Sequence, residues 1–442
     1  MECSIYKQTL KRPLFSEEWK IFNYYASRIR SLFIYRELID EIDHQVMKVL
    51  VSAPSPTLLP NLHSLEWWDE RDSLLPLLQA LLAPTIRSLM LFRPIAGNHS
   101  FAKSALLASL AARCPHIEEF VCPYSRNSDE HSDSVSESVC GWSKLVRIET
   151  GVLNTRALAH LASLPSLKFL DFVSCGFVNS TQPNSIPTFT SKLDEISITA
   201  PSLPIRILRN VHFASCQSVV LRHDDYDSLL SNPLDILDLI ASLSQCFSSV
   251  EKLAVKFSSL LVNNLTDPRF VLSFKAVTPL LSFNCLRTVN LSYFCASAID
   301  DAAVKMMAQS WPQLERLYLG SRSRWPIPPC LTFTGIVHLI RHCQHLHDIA
   351  VPFRASLMDN DSEPFSETVP NAKITHIYVM KSPIDAAIVA ALACQLHTLL
   401  PNLTDMRQYF PWNPLCYTQG LKRSVEWGRV EELLKELVKD AK

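Results

Sequence analysis

Leu62-His63-Ser64-Leu65-Glu66-Trp67 is a six-residue phrase of the form apolar-x-x-apolar-x-apolar, and the chain repeats it from one end to the other. Clear copies run from Ile86 to Leu91, Leu167 to Phe172, Leu193 to Ile198, Val250 to Val255, Leu286 to Leu291, Leu314 to Leu319, Leu346 to Val351 and Ile374 to Val379. Weaker ones begin at Ile117, Leu145, Cys216 and Leu403. The first apolar position moves from 62 to 403 in about twelve steps, a mean period of about 28 residues. A sustained period of that length is the sequence mark of a solenoid.

The last three residues of each phrase alternate apolar, polar, apolar, as a short strand with one face on a core requires, and the apolar residue three places earlier anchors the incoming turn. Between phrases lie stretches with helical spacing: Leu74 to Ala83, Phe101 to Cys114, Thr155 to Leu164, Leu234 to Phe247, Asp300 to Trp311, Thr334 to Cys343 and Asp385 to Leu400. One such unit cannot bury its own apolar face, so successive units must stack. The expected fold is α/β, a leucine-rich-repeat solenoid bent into a horseshoe arc, with a parallel sheet on the concave face and helices on the convex one. The expected organisation is a helical flank over residues 1–55, about thirteen irregular repeats over 56–424, and a capping helix over 425–442.

Composition excludes several function classes. The chain has 442 residues, a formal net charge of -1 and 48% hydrophobic residues. Its pI of 6.9 gives no basic footprint for nucleic acid. No apolar run reaches the length of a membrane span, since Ala386 to Leu400 is short and is broken by Gln395 and His397. Thirteen cysteines at irregular spacing read as small buried hydrophobes in a reducing compartment, and a cytoplasmic protein is expected, with the nucleus open as well. Asn290-Leu291-Ser292 falls inside an expected strand, so it and the other sequons, Asn98-His99-Ser100 and Asn264-Leu265-Thr266 among them, read as chance.

In the flank, Ser16 is placed to cap a helix carrying Trp19, Phe22, Ala26, Ile29 and Phe33, and a second helix is expected to carry Leu38, Ile42, Val46 and Val49. At the other end Val430, Leu433, Leu434, Leu437 and Val438 form the stripe of the capping helix. Three polar stretches read as loops: Ser125 to Ser138, Ser321 to Cys330 and Met358 to Pro370. Ser128, Ser132 and Ser134 in the first are candidates for phosphorylation.

Eight glycines form none of the phosphate-binding or nucleophile-elbow patterns, so no catalytic residue and no cofactor are assigned and an enzyme is not expected; a site borne on a long loop is the remote alternative. His338, His342, Cys343, His345 and His347 form the sharpest chemical cluster, with His338 and His342 one helical turn apart. His345 and His347 flank Leu346 and Cys343 sits at a helix end, so a structural role is the better reading and no metal is assigned.

The alternation of strand side chains names the residues facing away from the core. Trp68, Arg147, Glu149, Arg316, Tyr318, His376 and Tyr378 are the candidate protein-binding residues, because Trp, Tyr and Arg dominate protein interfaces. Glu66, Met90, Phe92, Asp171, Arg222, Lys252, Lys256, Asn290, Asp348, Arg407 and Tyr409 share that face.

Arg12-Pro13-Leu14, Glu18-Trp19, Phe22-Asn23-Tyr24-Tyr25-Ala26 and Arg28-Ile29-Arg30 look like the linker that joins an F-box to a first repeat, and irregular repeats such as Asp300 to Leu319 follow them. In these features the chain resembles the leucine-rich-repeat F-box proteins, most closely their large fungal families. The resemblance implies the substrate-receptor half of an SCF-type, cullin-RING ubiquitin ligase, with the repeats holding the protein to be ubiquitinated. Family members place an F-box ahead of this linker to hold the Skp adaptor. Here only eleven residues precede Arg12 and no F-box is evident, so the chain reads as a truncated or divergent member, and adaptor binding is carried to no residue. The alternative from the residues alone is a repeat scaffold unconnected with ubiquitin.

Overall fold

A computed structural model describes residues 10, 12–36, 44–55, 57–69, 71–91, 100–123, 129–173, 188–200, 211–223, 236–247, 249–257, 272–320, 328–361, 363–380, 382–408 and 424–440. It is α/β and divides into two compact units, Met1–Ile198 and Thr199–Lys442. In the first lie β1 (Ser31–Ile34), β2 (Ser64–Trp67), β3 (Ser88–Leu91), β4 (Glu119–Cys122), β5 (Arg147–Val152), β6 (Phe169–Val173) and β7 (Thr188–Ala200), the last crossing the boundary. The second holds β8 (His212–His223), β9 (Lys252–Phe257), β10 (Thr288–Leu291), β11 (Arg316–Leu319), β12 (Asp348–Ala350), β13 (His376–Tyr378) and β14 (Asp405–Arg407). Within each unit neighbouring strands pair in parallel and in chain order. Parallel neighbours need a crossover, and helices such as Thr155–Ser163 and Phe333–His342 supply it.

The phrase sets the register. In the first unit Leu65, Leu89, Phe120, Ile148 and Leu170 stand opposite one another in turn. In the second, Val219, Leu253, Val289, Leu317, Ile349, Ile377 and Met406 do the same. All are buried, as is Ile196 of β7. The first apolar residue of each phrase is equally buried, from Leu62 through Leu167 to Leu403. It turns inward just before the strand, and the backbone N–H of the residue after it bonds to the preceding turn, as in Arg287 to the Glu251 carbonyl at 2.7 Å and Glu315 to the Arg287 carbonyl at 2.8 Å.

A further core position lies three residues ahead of most phrases, though not of the one at Leu193, where Thr190 is exposed. It holds Leu59, Ala83, Cys114, Trp142, Leu164, Phe247, Phe283, Trp311, Cys343, Asn371 and Leu400, all buried. Where the residue carries a donor it ties back to the turn before. Trp142 Nε1 donates to the Cys114 carbonyl at 2.9 Å, Trp311 Nε1 to the Leu280 carbonyl at 3.1 Å, and Asn371 Nδ2 to the Leu346 carbonyl at 2.8 Å. Buried polar groups need such partners, and here they are backbone carbonyls at helix ends and turns.

Several expectations are corrected. The flank helix spans Ser16–Ala26, preceded by Phe15 and not by Ser16 as its cap. It stops before Ile29 and Phe33, because Ile29, Leu32 and Ile34 are themselves a copy of the phrase and Ser31–Ile34 pairs with β2. The second helix is His44–Val51, with Met47 its buried residue; Leu38 and Ile42 lie outside the described residues. Ser125 to Ser138 is not wholly a loop, since Asp129–Cys140 is a helix. Val135, Ser136, Ser138 and Val139 are buried there, and Ser138 Oγ donates to the Leu107 carbonyl, so small hydroxyl residues stand in for apolar ones where helices approach closely. Ser132 is buried and not available to a kinase; Ser128 lies outside the described residues.

The described residues of Met358 to Pro370 form no helix or strand but are held in place. Gln395 Nε2 donates to the Met358 carbonyl at 2.6 Å and to Asn360 Oδ1 at 2.7 Å, while Phe365 and Thr368 are buried. The capping stripe packs through Val430, Leu434 and Val438, and the fully buried Trp427 donates from Nε1 to the Ser382 carbonyl at 2.8 Å and meets Phe353 edge-on at 5.7 Å. Among the described residues no helix is long and apolar enough to cross a membrane.

Candidate functional site

Arg316 and Tyr318 stand on β11, and His376 and Tyr378 on β13, at the first and third strand positions. Their neighbours Leu317 and Ile377 enter the core, so these four point to the other face. β12 lies between, and places Asp348 beside Arg316 and Ala350 beside Tyr318 and Tyr378. β14 adds Asp405 opposite His376 and Arg407 opposite Tyr378.

These side chains interlock. The Tyr318 hydroxyl donates to Asp348 Oδ2, and Asp348 Oδ1 lies 3.7 Å from His376 Nε2, an ion-pair distance when the imidazole is protonated and too long for a hydrogen bond. His376 meets the Tyr378 ring edge-on at 5.5 Å. Arg407 Nη1 donates to the Tyr378 hydroxyl at 2.7 Å, its guanidinium carbon lies 5.3 Å from the centre of that ring, and its Nε donates to Asp405 Oδ2 at 2.6 Å. The chain of contacts runs from β11 to β14.

Its electrostatics follow from the geometry. Burial raises the Tyr318 hydroxyl pKa, and the Asp348 carboxylate raises it further by accepting its hydrogen bond and by its charge. Burial also acts to raise the Asp348 carboxyl, but His376 and the Tyr318 hydroxyl outweigh it and the net shift is downward. Partial burial acts against the charge of Arg407, yet Asp405 and Tyr378 outweigh it and hold the guanidinium above its ordinary range. The patch therefore carries Asp348 as an anion and Arg407 as a cation at neutral pH, each held in place by a neighbour.

Exposure within the patch is uneven. Arg316 is exposed, Tyr318, His376 and Arg407 are intermediate, and Tyr378 is buried, which corrects the expectation that it is an exposed strand residue. Ala350, fully covered, stands in register between Tyr318 and Tyr378.

The other candidates belong to the first unit. Trp68 follows β2, is exposed, and meets the Tyr35 ring at 5.8 Å. Arg147 and Glu149 share β5 at 3.5 Å, with the Arg147 guanidinium 5.4 Å from the Phe169 ring centre. β5 is three strands from β2, about 14 Å, so Trp68 does not join this pair. Phe92 and Tyr409 lie outside the described residues. Asp405 is the residue of the patch that the sequence reading passed over; its signal was its place in the weak copy at Leu403.

The histidine cluster disperses. His338 and His342 stack nearly parallel, 6.3 Å between ring centres, and burial followed by Lys305 lowers the pKa of His338. Cys343 faces the Ala308 and Trp311 carbonyls, its thiol raised by burial to about 12, and His345 lies against Lys373. Among the described residues no three His, Cys, Asp or Glu side chains converge as a metal site. The ten described cysteines are free thiols.

No family model matches the chain, and no curated protein is significantly similar to it.

Proposed function

We propose that the protein is a recognition module of leucine-rich-repeat type, which holds a protein partner against the solvent side of β11–β14. Its nearest functional likeness is the substrate-receptor half of an F-box protein in ubiquitin ligation. The observation that carries the reading is the interlocked row Tyr318–Asp348–His376–Tyr378–Arg407. Aromatic and arginine side chains fixed by their neighbours lose little freedom on binding, which is how interface anchors gain affinity. The partner is a protein in the cytoplasm or nucleus, and adaptor binding is assigned to no residue.

Affinity capture with mass spectrometry tests this. A Tyr318→Ala, Arg407→Ala chain is compared with a Lys305→Ala, Gln309→Ala chain, whose changes fall on exposed positions of the Asp301–Ser310 helix. Proteins retained by the wild type and the helix variant but lost by the strand variant support the reading, and ubiquitin-ligase components among them support its receptor half. Equal loss from both variants, or loss only from the helix pair, overturns it.

A further inference from the structure

Phe33 and Tyr35 of the first strand and its exit, with Glu66 and Trp68 of the second, form a square on the solvent side of the first unit. Register sets Phe33 beside Glu66, and the Trp68 backbone N–H donates to the Ile34 carbonyl at 2.8 Å, which carries the pairing on to Tyr35 and Trp68. Neighbouring corners are about 5 Å apart across the strands and about 7 Å apart along them. Leu65 and Trp67, the alternate residues of β2, enter the core, and Trp67 Nε1 donates to the Asp69 carbonyl at 2.6 Å, which fixes the turn that follows. The square therefore stands on a packed floor.

Three corners are aromatic and open to solvent. Phe33, Tyr35 and Trp68 are 47%, 40% and 43% exposed, and the Tyr35 and Trp68 rings lie 5.8 Å apart, tilted by 34°. The fourth corner is a carboxylate with no partner: among the described residues Glu66 makes no hydrogen bond or ion pair. Its surroundings are uncharged. Phe33 and Met90 flank it in register, Ser64 and Trp68 precede and follow it along the strand, and the described diagonal positions are two serines and Tyr35. Arg71, the first cation along the chain after β2, is held by Asp69, its Nε 3.0 Å from both carboxylate oxygens.

We infer that this square is a binding site for an arginine side chain carried on an extended segment of a partner protein. Exposed aromatic groups of this kind mark interaction surfaces. An apolar partner that covered the rings would bury the Glu66 carboxylate with nothing to bond it, which is costly, so the occupant must bring a cation. A second copy fits less well, because a two-fold contact through this face brings carboxylate to carboxylate. A guanidinium meets both halves of the site: its plane stacks on aromatic rings and its N–H fork bonds a carboxylate, whereas an ammonium offers only a point charge. The site lies in the first unit and uses no residue of the β11–β14 patch.

Fluorescence polarisation on the full chain tests it. The probes are a labelled twelve-residue peptide of alternating Arg and Gly, its citrulline counterpart, which keeps the shape and removes the charge, and its Lys counterpart. Wild type is expected to bind the arginine peptide best and the citrulline peptide at least about tenfold more weakly. Glu66→Gln and Trp68→Ala should each weaken the arginine peptide by about fivefold or more, with Glu137→Gln, on an exposed helix position of the same unit, as the unaffected control. Thermal melting verifies folding, and Trp68→Leu replaces Trp68→Ala should the truncation unfold the chain.

No binding of the arginine peptide, equally tight binding of the citrulline peptide, or full binding by folded Glu66→Gln chain overturns the inference. Tighter binding of the lysine peptide overturns the choice of arginine. A wild-type dimer that Trp68→Ala dissociates overturns it in favour of a second copy of the chain. The Tyr318→Ala, Arg407→Ala chain should bind the arginine peptide as wild type does, and loss of binding there overturns the placement in the first unit.

Discussion

Tyr318 on β11 reaches diagonally across the ladder, past its register partner Ala350, to donate its hydroxyl hydrogen to the carboxylate of Asp348. Tyr318→Phe removes that donor and keeps the ring. Unfolding in urea should show a loss of about 1 kcal/mol at neutral pH. The pH dependence gives the sign. Asp348 has a lowered folded pKa, so its contribution is full above the unfolded value of about 3.9 and is lost as pH falls through the folded one. Tyr318 has a raised folded pKa, so its contribution is full below about 10 and is lost as pH rises beyond that. The gap between wild type and variant should therefore narrow at both ends of the pH range; a gap constant from pH 3 to 11 would refute the pairing.

Ala350 is fully covered and stands in register between Tyr318 and Tyr378. Ala350→Leu should push at least one ring out of place at a cost of about 1 to 3 kcal/mol. Tyrosine accessibility, read by nitration of Tyr378, should rise with it. An unchanged nitration rate would show that Tyr378 is covered by something else.

Leu317 sits at the centre of the second unit's core row, between Val289 and Ile349. Leu317→Ala should cost about 2 to 5 kcal/mol in a thermal or urea melt. Leu357, exposed in the held loop, is the matched control and should cost little.

Asp301 joins successive helices. Its Oδ1 accepts from the backbone N–H of Thr332 at 2.8 Å and of Gly335 at 3.0 Å, and its Oδ2 from the Thr332 hydroxyl at 2.7 Å. Asp301→Ala strands those donors at the start of Phe333–His342 and should cost about 1 to 3 kcal/mol. Asp301→Asn should recover part of that loss, because an amide oxygen can still accept. Gly335→Ala should fail for a related reason: its added carbon would stand 2.2 Å from Leu331 Cδ1 and 2.8 Å from Asp301 Oδ1. Hydrogen exchange at the Thr332 and Gly335 amides checks both.

The strands were legible because a residue such as Leu317 or Ile377 must be apolar wherever it stands opposite its equivalents in register. The weak copies were legible for the same reason, with Cys216 and Met406 filling the role of leucine. What escaped was structure built from other chemistry. The first strand hides in Ile29 to Ile34, where a helical spacing of Trp19, Phe22 and Ala26 runs straight into the phrase. The helix Asp129–Cys140 escaped because serines do the work of its core. The buried position three residues ahead of most phrases is occupied by Leu, Ala, Cys, Trp, Phe and Asn in turn, and no single residue type reveals it. In the patch, alternation found Tyr318 and Tyr378 but not their unequal burial, which depends on what packs around each ring and not on strand period.

The indole bonds have a practical meaning. Trp142, Trp311 and Trp427 are fully buried, and each holds a carbonyl of an earlier turn, in the first unit for Trp142 and in the second for the other two. Emission from a buried indole shifts to longer wavelength when water reaches it, so each marks the opening of one seam. Single-tryptophan chains, with the others replaced by phenylalanine, would turn the stack into three local gauges. Their midpoints in urea would measure whether the two units unfold as one cooperative body or part company first.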